Sequence, residues 1–138
     1  MIVNDVTSFK NLIEDLLLLD NVMISIKSEN AIAEIKLAKD LPIKIGEQWA
    51  TIGDENKSWH IHVNIQETYE ARFIIESNVN GRNRYSIRFF NSKEGLILRV
   101  NFTKMYDSDN NLNQENLEKY ENIFTKYGNN NSVFLKDI

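Results

Sequence analysis

Near its start the chain places apolar residues at helical spacing. Phe9, Leu12, Ile13, Leu16 and Leu17 recur at intervals of three and four and share one face. Ser8 stands where a helix N-cap is needed, so the spacing predicts a helix of about twelve residues that stops at residues 18–20. Asp20-Asn21 reads as a turn. The period then changes to two. Residues 22–27 and 31–37 alternate apolar and polar side chains around Ser28-Glu29-Asn30, the pattern of a β-hairpin. Pro42, the single proline, falls in a loop after Asp40, where a missing N–H does no harm. Residues 48–52 form a short strand closed by Gly53-Asp54. The next strand, residues 59–65, puts Trp59, Ile61, Val63 and Ile65 on one face and His60, His62 and Asn64 on the other.

Three further strands are predicted at residues 69–76, 85–91 and 96–103. Their separators, Asn78-Val79-Asn80-Gly81 and Ser92-Lys93-Glu94-Gly95, each offer a glycine for positive φ. A second helix runs from about Asn113, its cap, to Lys126, with Leu117, Tyr120, Ile123, Phe124 and Tyr127 as the buried stripe. Glu115 complements the helix dipole and Gly128 ends the helix. Residues 129–131 are a loop, and Val133-Phe134-Leu135 is a candidate terminal strand. With no internal repeat and no linker, residues 1–138 read as one α+β domain: a large antiparallel sheet of about seven strands with an N-terminal and a C-terminal helix packed on it.

Composition fits this outline. The apolar share of 42% is enough for a sizeable core in 138 residues. A net charge of -4 argues against bulk attraction to nucleic acid or to an anionic membrane. The absence of cysteine removes disulfides, thiolate nucleophiles, zinc fingers, iron–sulfur clusters and cysteine-ligated haem together, and it suits a reducing cytoplasm. The first twenty residues lack the basic and small-residue signals of a secretory leader, and no apolar run approaches a membrane span.

Candidate chemistry concentrates in the middle of the chain. His60 and His62, the only histidines, alternate onto one strand face, and neutral imidazole ligates haem iron, zinc, copper or nickel. The five arginines, Arg72, Arg82, Arg84, Arg88 and Arg99, all fall in one segment. Guanidinium forks could hold haem propionates, a nucleotide or RNA, or form a solvated face balanced by Glu67, Glu70 and Glu76. Asp107-Ser108-Asp109-Asn110-Asn111 lacks the glycine and terminal glutamate of a calcium loop and reads as a polar loop. No phosphate-binding glycine loop, dinucleotide fingerprint, HExxH or GxSxG elbow is present, so the sequence advertises no enzyme.

An ordered series of motifs carries a family resemblance. His60-Ile61, the apolar run 71–75, Gly81-Arg82, a strand from Ser86 to Phe89-Phe90-Asn91, Gly95 and the alternating strand 96–102 follow one another at compatible spacings. Upstream lie Ala33-Glu34-Ile35-Lys36 and Leu41-Pro42. The segment resembles the ChuX/HutX group of haem-utilisation proteins, which are related to half of a HemS-type protein. The resemblance implies an intracellular haem carrier or storage protein, often dimeric, with its sheet folded into a saddle. It makes His60 the candidate axial ligand of haem iron, because His60 occupies the matching position. His62 would supply a second ligand, hold a water or line the same face. Arg82, Arg88 and Arg99 are candidate propionate partners by their chemistry alone, and Trp59 and Tyr85 are candidates for stacking on a porphyrin or for plain sheet core. Three alternatives stand beside this one. They are a nucleic-acid or nucleotide binding module using the arginine-bearing face, a non-haem metal site completed by a carboxylate such as Glu70, and a dimerising adaptor with no ligand.

Overall fold

A computed structural model describes residues 6–37, 41–53, 59–78 and 80–136. Asp40, Asp54 and Val79, expected in turns, lie outside the described residues. Strand β8 (Asn83–Phe90) is the centre of the large sheet, between β7 (Glu70–Ser77) and β9 (Leu96–Phe102), both antiparallel to it. Tyr85, Ile87 and Phe89 of β8 are buried, while Arg84 and Arg88 project to the opposite face. Beyond β9 come β2 (Val22–Lys27) and then β3 (Ile32–Lys36), joined as the expected hairpin. Beyond β7 come β10 (Ser132–Leu135) and the two-residue β1 (Val6–Thr7). Every neighbouring pair in this seven-stranded sheet is antiparallel except β1 with β10.

Both helices lie where the apolar stripes require. Helix α1 (Phe9–Leu17) is capped by Ser8, whose hydroxyl accepts from the Asn11 N–H at 3.0 Å. All five stripe residues are buried, and the Phe9 ring meets Phe89 edge-on at 5.4 Å. Helix α2 (Gln114–Lys126) is capped by Asn113 and ended by Gly128 and Asn129, both at positive φ. Its Tyr120 ring packs edge-to-face on Tyr85 and Phe102 at 5.1 and 5.0 Å and on Phe73 at 6.1 Å. Asp15 of α1 accepts from the Tyr127 hydroxyl and pairs with Lys126, which ties the two helices together on the sheet.

The seven strands are not the seven that the alternation suggested. Residues 48–52 and 59–65 do not join the large sheet. Within them β5 (Trp49–Ile52) and β6 (Ile61–Asn64) pair with each other, and β4 (Ile43–Ile45) completes a separate three-stranded sheet. Alternation marks which residues face inward but carries no information about which strands pair. Ala50, Ile52, Ile61 and Val63 accordingly point into the same core as α1 and β8. Strands β1 and β4 are too short to show a period.

One turn also differs. Between β8 and β9 the positive φ falls on Glu94 (63°), not on Gly95. Gly95 is needed for space: a Cβ there would lie 2.8 Å from the Asn91 side chain, whose Oδ1 accepts from the Gly95 and Lys93 N–H groups. Gly81 does adopt positive φ as expected. In the Asp107 loop the carboxylate accepts from the Asp109 and Asn111 N–H groups, both at 2.9 Å, so it is occupied by its own turn.

Phe89 is fully buried where α1 meets the sheet. Phe89→Ala is expected to lower the free energy of unfolding by about 3–5 kcal/mol, read from denaturant titration. Burial pushes the Tyr120 hydroxyl up from 10.0 to about 12. The unfolded chain therefore ionises first, so the stability Tyr120 contributes is intact below pH 10 and is lost as pH rises towards 12. Tyr120→Phe should flatten that alkaline loss in melting curves recorded across this window. An unchanged slope would show that other groups cause it.

Candidate functional site

The two histidines stand on the small sheet. β6 pairs with β5 so that His62 lies opposite Thr51 and Ile61 opposite Ile52. Ile61 and Val63 turn inward and are buried, which forces His62 outward. His60, just before the strand, projects to the same side, and both imidazoles are exposed. Their rings meet edge-to-face with centroids 4.6 Å apart. Thr51 Oγ1 lies 2.9 Å from His62 Nδ1. With Nδ1–H donating to that hydroxyl, Nε2 carries the lone pair, a tautomer that can ligate a metal.

Gly53 sets where His60 begins. It is buried with φ at 107°, and a Cβ on it would lie 3.1 Å from both the Trp59 ring and the Trp59 carbonyl oxygen and 3.3 Å from His60 Cα. Only glycine lets residues 59 and 60 approach the end of β5 this closely. Trp59 is half-buried against Gly53 and joins the margin of the core. Tyr85 is buried against Tyr120 on the helix side of the large sheet. A residue that pattern reading passed over is Trp49. It is 49% exposed and shares the outer face of β5 with Thr51, opposite Asn64. The signal was present in the alternation Trp49-Ala50-Thr51-Ile52, whose small and apolar partners face inward.

The arginines form a second locus. Arg82, Arg84, Arg88 and Arg99 line a cleft of about 520 Å³ on the large sheet, floored by β8, β9 and β2 and bordered by Tyr106. Arg88 and Arg99 are directly opposite each other on β8 and β9. Arg88 pairs with Glu76, and the Arg82 guanidinium sits 5.3 Å from the Tyr106 ring centre. Arg72 stands outside the cleft. It pairs with Glu70 and Glu94 at 2.8 and 2.9 Å, lies over Phe90, and those two carboxylates drive its pKa upward. The structure thus brings His60 and His62 together, and it brings Arg82, Arg88 and Arg99 together, but neither histidine lines the arginine cleft. Glu70 is engaged by Arg72 and Ser132, and among the described residues no three histidine or acidic side chains gather into a metal-binding cluster. Among those residues, too, no helix is long and apolar enough to cross a membrane.

A helix-backed antiparallel sheet with a small second sheet makes this an α+β protein, and its fold is shared with ChuX. Two solved structures of ChuX, one described as a haem-binding protein, superpose with TM-scores of 0.68 and 0.71 at 15% identity. They cover 86% and 91% of this chain and 71% and 74% of their own. A protein from Erwinia carotovora superposes with a TM-score of 0.70 at 17% identity, covering 86% of this chain and 71% of its own. A family model matches residues 10–128, and the chain belongs to the ChuX/HemS-like family. A comparison with curated proteins finds no match.

Gly53→Ala is expected to destabilise the protein by about 1–3 kcal/mol, because it strains the backbone and crowds Trp59. The imidazole NMR resonances of His60 and His62 should move in this variant, while those of the Tyr85 ring stay in place. Unmoved histidine signals would mean that the close approach at Gly53 does not position them.

Proposed function

We propose that this chain binds haem as a carrier or storage protein, with His60 as the axial ligand of the iron. The observation that carries this reading is the pair of exposed imidazoles on the outer face of the small sheet, in a fold shared with a protein described as haem-binding. The donor set suits the group: a neutral imidazole is a common protein ligand of haem iron. When bound, haem supplies an iron centre that such an imidazole can hold. Trp49, on the same outer face and half exposed, lies one same-face residue pair along from Thr51 and His62 and adds flat apolar surface on the His62 side.

The two rings lie edge-to-face at 4.6 Å, with no space between them for a macrocycle. This spacing favours a single imidazole donor. His60 ligates, and His62, fixed by Thr51, lines the same face. A small molecule or a second copy of the chain in a homodimer would complete the site.

Haemin titrated into the purified protein should give a saturable Soret shift at about one equivalent per chain. His60→Ala should abolish that shift or move its maximum, with His62→Ala weakening binding less. An identical Soret spectrum in the His60 variant would remove His60 as the ligand, and no shift in the unaltered protein would remove the haem reading altogether.

A further inference from the structure

The face of the large sheet away from the helices carries Arg72, Arg88 and Arg99 directly opposite one another on β7, β8 and β9. Like charges facing each other on adjacent strands repel, so each needs compensation. Arg72 has Glu70 and Glu94, and Arg88 has Glu76. Arg99 is half-buried and has neither a hydrogen bond nor an ion pair among the described residues. Its Nε–H and that of Arg88 are closed off from water without an acceptor. A folded protein that holds an uncompensated guanidinium in a concave polar face has the makings of an anion site. Arg82, Arg84 and Lys104 also line this cleft, against two acidic side chains among the described residues, Glu34 and Glu76.

We propose that the cleft binds a small phosphomonoester, with Arg88 and Arg99 gripping the phosphoryl group and Arg82 and Lys104 at its rim. The choice of ligand follows from charge. A phosphomonoester carries roughly -1.5 to -2 at neutral pH, which offsets more of the cleft's excess of five cationic over two acidic side chains than a single carboxylate can. Its oxygens also accept the forked donors of two arginines at once. The size of the cleft, about 520 Å³, suits a small molecule. Glu34 and Glu76 would repel a long polyanion laid across the face, so a nucleic acid is the poorer occupant. Neither histidine lines the cleft, and the site stands or falls independently of haem ligation at His60.

The test is calorimetric titration of the full chain at low salt with phenyl phosphate, inorganic phosphate, benzoate and a short single-stranded RNA. Phenyl phosphate should bind saturably at about one per chain, with inorganic phosphate weaker and benzoate weaker by about tenfold. Arg99→Gln should weaken phenyl phosphate by about tenfold or more. Arg72→Gln, whose charge is already neutralised, should change it by less than about twofold, and so should His60→Ala. Melting curves of the unliganded Arg99→Gln protein verify that lost affinity is not lost folding. If that variant does not fold, Arg99→Lys, which keeps the charge and loses the fork, should bind at least about fivefold more weakly than the unaltered chain. Four results would each overturn the proposal: no saturable binding of phenyl phosphate, equal binding of benzoate, preferential binding of RNA, or undiminished affinity without the Arg99 fork.

Discussion

The packing of Phe9 and Tyr120 against one face of β8 and its neighbours is the interaction on which the rest of this molecule depends. Tyr85, Ile87 and Phe89 form a continuous buried strip along the central strand, covered by Phe9 from α1 and by Tyr120 from α2. The two helices come from opposite ends of the chain. A single apolar strip therefore gathers the N-terminus, the C-terminus and the middle of the sequence into one core. The Asp15 contacts with Tyr127 and Lys126 then fix the helices relative to each other. Burial raises the Tyr127 hydroxyl well above its ordinary value, and acceptance by Asp15 adds to this, so it keeps its proton as a donor.

Covering one face of the sheet determines what the other face can be. Strand geometry sends every second residue away from the helices, so Arg84, Arg88 and Arg99 are carried to a side that no helix covers. Guanidinium groups are tolerated there because long stems can lie along the sheet while their heads reach water or a carboxylate. The result is a basic cleft on a chain of net charge -4. Overall acidity and local basicity are compatible because the acidic side chains are spread over the rest of the surface, and charges farther apart than a Debye length are largely screened.

The small sheet solves a separate problem. Ile52, Ile61 and Val63 must be buried, and their alternation leaves Trp49, Thr51 and His62 outside. The histidine face is thus a by-product of core formation, refined by two local devices. The Thr51 hydroxyl contacts one ring, and Gly53 lets the chain approach closely enough to place the other beside it. The molecule carries two surfaces with ligand-binding chemistry, one of imidazole and one of guanidinium, on different sheets.

Much of this was legible in the residues themselves. Helical spacing with Ser8 and Asn113 as caps located both helices, because capping and amphipathic periodicity are local. Alternation located β2, β3, β7, β8 and β9 and put His60 and His62 on one side of their strand. Tertiary structure alone decided which strands pair. It moved residues 48–52 and 59–65 into a second sheet, recruited the short β1 and β10 to the edge of the first, and so placed the histidines outside the arginine cleft. It also made Trp49 an exposed neighbour of His62 and left Trp59 at the margin of the core. The physical reason is one of range: side-chain period and caps act over a few residues, whereas strand partnership depends on surfaces brought together from distant parts of the chain.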